Sequence, residues 1–418
     1  MALGDLADWL DEFNDPSFIW YAKRLSGNDT LANGSHQAGT YLPKEFAFSI
    51  FPAIAGTYVK NPDHRFELSV DSHMDHRTVR IVYYNNKHHG GGSRDEARIT
   101  NYGGASSPLL DPDSTGSLAV FAFKLNAQGR AEACHVWVCD HGTEADLVEE
   151  RIGPVEPGKG RAWSPSGSFL PLLAAGGIVA PAAQCWLQPS EIVPAWLINF
   201  PTGADIIRRA IALRPDKTLP PDKRLIRRRE CEFNLFRSLE EAVELPEIKK
   251  GFGALEEFLA HAQSVLQRRK SRSGRSLELH TKEIFVEEGL IEGAMFSHGA
   301  ESDPDKKPDF LFPSQAAYND ASFPAASLRM LAVKTTCKDR WRQVLNEADR
   351  IAHKHLLTLQ HGVSENQFKE MTAAKVQLVV PRPLIEKYPK SVRPHLQTLE
   401  SFIGDVRLLA PSSWGEKR

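Results

Sequence analysis

The sequence has no CxxC pair, no surplus of charge of either sign and no basic, apolar leader, and each absence closes a class of function. Its five cysteines, Cys134, Cys139, Cys185, Cys231 and Cys337, are an odd and scattered set among 418 residues. That pattern argues against a disulfide framework and a zinc ribbon, and predicts a reducing, cytoplasmic setting. Lys and Arg number 51 against 53 Asp and Glu, a formal charge of -2. A uniformly basic coat for nucleic acid is thereby excluded, and any such contact must come from local basic clusters. Asp5, Asp8, Asp11 and Glu12 stand where an export signal needs a basic start and an apolar run, so none is expected. Residues 163–189 lack Asp, Glu, Lys and Arg, which is length enough to span a bilayer. Pro165, Pro171, Gly176, Gly177 and Pro181 interrupt that stretch and would leave backbone groups unsatisfied in lipid, so no membrane span is expected.

What is present is an ordinary folded composition, 41% hydrophobic and 25% charged, which excludes disorder over most of the chain and predicts two domains. Before the uncharged stretch lie short β-rich runs, FELSV (66–70), TVRIVYYNN (78–86), SLAVFAFKL (117–125) and EACHVWVCD (132–140), separated by Gly, Asn, Asp and Pro. This half reads as a β-barrel or sandwich with one or two helices. After the stretch the spacing turns helical in GADIIRRAIAL, KRLIRRRECEFNLFRSLEEAVEL, ALEEFLAHAQSVLQRRK and SLELHTKEIFVEEGL. Strands return as DFLF (309–312), LRMLAVK (328–334) and VQLVV (376–380), so the second half reads as α/β with a mixed sheet. The boundaries expected are a first domain over 1–172, a linker over 173–187 and a second domain over 188–418.

In the second half, Pro308-Asp309 opens one strand and Lys334 closes another, the outline of the PD…(D/E)xK nuclease pattern. Phosphodiester hydrolysis needs carboxylates to hold a hard divalent cation, and a nearby lysine to orient water and balance charge on the phosphate. The second acid of that pattern belongs two residues before the lysine, where this chain has Ala332. Glu347 follows on what reads as a helix running back past the strand ends, from which its carboxylate can fill the space at Ala332.

KKPDFLFPS (306–314), LRMLAVKTTCKDRWRQVLNEADRI (328–351) and KSRSGRSLELH (270–280) resemble the EcoRII restriction endonuclease family, in which the second acid has moved to the following helix. The first half resembles the N-terminal effector domain of that family in YAKRLSGNDT (21–30), GSHQAGTYLP (34–43), SRDEARIT (93–100) and GSLAVFAFKL (116–125). The resemblance implies a B3-like, mainly β pseudobarrel followed by an α/β restriction-endonuclease-like domain. It also implies a Mg²⁺-dependent homodimer that cuts double-stranded DNA at CCWGG (W is A or T) before the first C, leaving 5′ overhangs. Activation by a second copy of the site at the effector domain, with autoinhibition in its absence, is implied too. So is a cognate DNA cytosine methyltransferase as a genetic partner only.

By the same resemblance Asp309 and Glu347 are metal ligands, Lys334 is the catalytic lysine, and Glu278 is a further acid near the site. Tyr318 falls near the active site by resemblance, with a packed core tyrosine as the alternative. Lys338, Asp339 and Arg340 have the chemistry to read G and C edges in the major groove, since Arg and Lys donate to guanine and Asp accepts from cytosine. Lys338 also stands open as a second catalytic lysine. Arg229 and Phe233 share a helix face at i, i+4 and can sandwich an extruded base, which relatives do with their central pair; a core phenylalanine beside a phosphate-binding arginine is the other reading. Arg268, Arg269, Lys270, Arg272 and Arg275 read as phosphate contacts or as a solvated face. His36, Tyr41, Arg94, Glu96 and Arg98 match the effector domain's DNA-contacting loops, although Gly92 and Ala97 stand where relatives carry lysines. Two rivals remain at this point, a non-catalytic DNA-binding regulator and a structure-specific repair nuclease.

Overall fold

The computed structural model describes residues 3–34, 39–164 and 185–409. They form two compact units, one built from the amino-terminal half with 360–368 and 386–393, the other from the remainder.

In the first unit, eight strands are arranged in the order β2-β5-β4-β3-β7-β6-β1-β8. They are β1 (Phe18–Arg24), β2 (Thr40–Leu42), β3 (Asp63–Val70), β4 (Asp75–Tyr84), β5 (Glu96–Thr100), β6 (Leu118–Leu125), β7 (Ala131–Val138) and β8 (Arg161–Trp163). Neighbours are antiparallel except β3 and β7. The strands with the least polar alternation are covered on both faces. In β6, Ala119, Phe121 and Phe123 enter an inner core with Ile81 and Val136, while Leu118, Val120 and Ala122 enter a second core. That second core is closed by Leu6, Trp9 and Leu10 of α1 (Leu3–Glu12) and by Ala145 and Val148 of α3 (Gly142–Ile152). Phe46, Ala47 and Ile50 of α2 (Lys44–Ile50) plug the inner core. Among the described residues three α-helices thus stand where the spacing predicts one or two. Each fully buried Phe contributes about 1.5–3 kcal/mol relative to exposure.

The second unit begins with α4 (Pro194–Ile198), α5 (Gly203–Leu213), α6 (Pro221–Lys250) and α7 (Leu255–Glu287). Thr202 and Asp205 form a reciprocal cap that starts α5. The two helices expected over 254–290 are one. Gly274 costs α7 about 1 kcal/mol relative to alanine, but flanking contacts offset this. Arg269 pairs with both oxygens of Glu240 on α6, and Arg272 with Glu232. Arg268 joins Glu244 and lies 4.1 Å from the Phe200 ring centroid. In this structure Arg268, Arg269 and Arg272 thus tie α7 to its neighbours, while Lys270 and Arg275 are exposed.

Cys185 and Cys231 form a disulfide in the core of Leu187, Ile206, Ala210 and Leu235, whereas the cysteine pattern argued against a disulfide framework. The partners are 46 residues apart with no diagnostic spacing, so the pairing was invisible until the fold closed the gap. Cys134, Cys139 and Cys337 are buried and take no part in that disulfide.

A second sheet has the order β13-β12-β11-β10-β9, from β9 (Ser297–His298), β10 (Phe310–Phe312), β11 (Arg329–Lys334), β12 (Lys354–Thr358) and β13 (Val376–Val379). β11, β12 and β13 run parallel, and β10 is antiparallel to β9 and β11. Phe285 of α7 meets Phe310 and Phe312 at 5.1 and 5.5 Å, and Phe402 of α11 (Leu399–Leu409) meets Phe312 at 5.4 Å. Between the strands lie the short helices α8 (Gln315–Asn319) and α9 (Trp341–Val344), and α10 (Glu365–Ala373) precedes β13. Among the described residues no helix is long and apolar enough to cross a membrane. The linker expected over 173–187 lies, but for its last three residues, outside the described residues.

Candidate active site

Antiparallel pairing of Phe310 with Leu331 sets Asp309 beside the end of β11. The Val333 amide donates to Asp309 Oδ2 at 2.7 Å, and Lys334 Nζ lies 3.5 Å from the same oxygen. Burial raises the Asp309 pKa, and the Lys334 charge acts against it. Ala332 and Lys334 share one face of β11, by strand alternation. Ala332 is fully buried, a methyl where the pattern calls for an acid.

Glu347 does not stand on a helix. α9 ends at Val344, and Glu347 occupies the irregular turn that follows. Its Oε2 is buried with no hydrogen-bond partner among the described residues. Burial pushes its carboxyl up to about 7, with Lys334 pulling down and Asp309 pushing up, so the three groups share one electrostatic site. Glu278 reaches it from α7, where its charge also raises the Asp309 pKa. His298 Nε2 lies 2.6 Å from Glu278 Oε1, and its ring stacks on Phe310 at 5.1 Å. Nothing in the sequence marks this isolated histidine on a two-residue strand.

These donors are hard carboxylate oxygens. No three His, Cys, Asp or Glu side chains among the described residues form a complete metal cluster. A hard divalent cation takes oxygen ligands, from one or two protein carboxylates together with waters and a substrate phosphate. The unpartnered Glu347 Oε2 is the atom such an ion would satisfy.

Tyr318 is buried, and its hydroxyl donates to Asp303 at 2.7 Å and accepts the Arg350 amide at 3.2 Å. It thereby ties down the chain just beyond Glu347. Lys338, Asp339 and Arg340 form the turn between Lys334 and α9, with Arg340 exposed at the helix cap. Arg229 is buried and bonds Glu232 at 2.8 Å and the Ser276 hydroxyl. The ring of Phe233 is covered instead by Arg272, at 5.3 Å.

In the first unit, Tyr41 on β2 is the register partner of Arg98 on β5. Arg98 pairs with Glu96 at 3.0 Å and donates to Gly39 O at 2.8 Å. Arg94 is exposed just before β5, with its guanidinium 5.3 Å from the Tyr84 ring. Ala97 points into the core between Glu96 and Arg98, and Gly92 is exposed. His36 lies outside the described residues. The sequence reading passed over a buried pair within YAKRLSGNDT: Lys23 Nζ donates to Asp29 Oδ1 at 2.7 Å, and Asp29 accepts the Tyr41 amide at 2.8 Å. This pair fixes the start of β2.

A mixed sheet that brings Pro308-Asp309 and Lys334 together, with acids arriving from a helix and a turn, defines a nuclease of the PD…K class coupled to a mainly β pseudobarrel. Residues 14–166 match the family described as restriction endonuclease EcoRII, N-terminal, and residues 236–403 match EcoRII C terminal. The chain is 43% identical over 411 residues, 97% of its own length and 98% of the relative's, to the type II restriction enzyme EcoRII of Escherichia coli. It belongs to the EcoRII family of type II restriction endonucleases and is a site-specific deoxyribonuclease that binds and cleaves DNA. Similar solved structures include metal-depleted Ecl18kI in complex with uncleaved DNA, 18% identical over 56% of this chain and 88% of that one, with a TM-score of 0.41. Another is the B3 domain of UbaLAI restriction endonuclease with cognate DNA, 20% identical over 38% and 97%, with a TM-score of 0.26.

Proposed function

We propose that this enzyme is a Mg²⁺-dependent homodimer that cuts CCWGG before the first C, under the control of a second DNA copy bound by the pseudobarrel. The observation carrying the reading is the shared electrostatic site of Asp309, Lys334 and Glu347, in a chain similar to EcoRII over nearly its whole length. Asp309 and Glu347 would hold the cation, with Glu278 beside them. When bound, Mg²⁺ supplies Lewis-acid polarisation of the phosphate and a more acidic water. Lys334 places a fixed positive charge where negative charge develops on the phosphate oxygens. Lys338, Asp339 and Arg340 read the outer C and G pairs, a role preferred to a second catalytic lysine because Lys338 lies on a turn beyond the strand. Arg229 and Phe233 take up an extruded central base, which requires Arg229 to exchange its Glu232 and Ser276 partners for the base.

His36, Tyr41, Arg94, Glu96 and Arg98 bind the effector duplex and relieve autoinhibition, with 173–187 as the linker between domains 1–172 and 188–418. The enzyme works in the cytoplasm, and a cytosine methyltransferase is its genetic partner. Incubation with plasmid and Mg²⁺, followed by sequencing of the cut ends, tests the specificity. Ends with 5′ overhangs at every CCWGG support it, and cuts scattered over sequence or confined to unusual DNA structures reject it.

A further inference from the structure

Glu347 has to reach Asp309 and Lys334 from a turn that no helix or strand holds in register. The following residue, Ala348, has φ 51°, a left-handed conformation that a side chain with a Cβ disfavours. The turn carries some bonds of its own, the Glu347 amide to Val344 O at 3.1 Å and the Ile351 amide to Ala348 O at 2.9 Å, and contacts from outside it add to these. On its far side, Asp303 accepts the Asp349 amide at 3.1 Å, and Tyr318 takes up the Arg350 amide. On the side of Glu347 itself, the contact comes from Lys354.

Lys354 opens β12 and is only 6% exposed. Its own amide is fixed to Lys375 O at 3.0 Å. Its Nζ donates to two successive carbonyls, those of Glu347 and of Ala348, the latter at 2.7 Å. Placing an ammonium under cover is costly without strong acceptors, and here the acceptors are the backbone of the turn. We infer that Lys354 is a positioning residue, bridging the Glu347 and Ala348 carbonyls so that the turn delivers the displaced carboxylate to Asp309 and Lys334. The inference rests on the reading of Glu347 as a cation-holding acid.

The test uses the full-length enzyme and Mn²⁺ as probe, with binding read by electron paramagnetic resonance in the absence of cleavage. Lys354→Met should melt cooperatively and bind cognate duplex without metal as the parent does, yet bind Mn²⁺ about tenfold or more weaker, the scale of losing a group that orients a ligand. Lys354→Arg, which keeps the donors, should restore most of that affinity. In a Glu347→Ala background Lys354→Met should add almost nothing, since a residue acting only through another has no separate effect. Unchanged Mn²⁺ affinity in Lys354→Met, or a loss that simply adds to that of Glu347→Ala, overturns the inference. If Lys354→Met does not fold, Lys354→Gln must show the same weakening, and full affinity there overturns it equally. Should Glu347→Ala alone leave Mn²⁺ affinity intact, it is the reading of Glu347 that fails, an outcome distinct from failure of Lys354 alone.

Discussion

Lys334 ends a buried strand and Arg340 stands exposed in the turn that follows, so the backbone leaves neighbouring cations in different surroundings, and the proposal gives them different tasks. Arg340→Ala should cost sequence-specific binding about 1–3 kcal/mol, the value of a bidentate guanine contact, while random duplex binds nearly as before. Competition binding with cognate and scrambled duplexes measures this, and equal losses on both would assign Arg340 to the phosphates. Phe233 presents a different problem, because Arg272 covers its ring. If Phe233 stacks on an extruded base, 2-aminopurine at the central position should brighten on binding the parent enzyme and stay quenched with Phe233→Ala. Brightening that persists in the variant would remove Phe233 from that role.

At the scale of elements, legibility followed the covering of each strand. β10, β11 and β13 announced themselves as apolar runs, with Asp309 just before β10 and Lys334 at the end of β11. β12 did not, since KHLLT begins with two polar residues, Lys354 and His355, that the fold nevertheless buries. β1, FIWYAKR, was not among the expected strands, although like β6 it is covered on both faces. Asp309, Lys334 and Glu347 could be named from the sequence, but His298 and Lys354 could not, because each acts through a contact that exists only after folding. His355 carries a measurable consequence. Burial drives its pKa down to about 4, with Arg329 adding to the effect, so the folded protein keeps it neutral. The folded state then binds fewer protons than the unfolded one between roughly pH 6.5 and 4, and this stability, present above pH 6.5, is lost as pH falls. Urea unfolding at pH 7 and pH 4.5 should show His355→Leu losing less on acidification than the parent, by about 2–3 kcal/mol. Identical losses would show that His355 is not held neutral.

For the whole molecule, one chain joins two domains of the EcoRII family. Under the proposed control, a second DNA copy would activate only by binding one state of the enzyme better than another, since a ligand shifts an equilibrium by differential affinity alone. A fragment beginning at Cys185, which keeps the bond to Cys231, should cut single-site plasmid faster than the full chain. Arg94→Ala in the full chain should lose stimulation by added cognate duplex. A folded, dimeric fragment no faster than its parent would withdraw autoinhibition and leave the pseudobarrel a tether.

The central claim is that a carboxylate displaced from Ala332 to Glu347 completes the hydrolytic site with Asp309 and Lys334. The direct measurement is single-turnover cleavage of a CCWGG duplex by Glu347→Ala, with metal-free binding of the same duplex measured in parallel and Asp309→Ala and Lys334→Ala as companions. The three groups act at one phosphate whereas affinity comes from many contacts, so all three variants should bind the duplex as the parent does and cut none of it. Cleavage by Glu347→Ala at the parent rate would contradict the account.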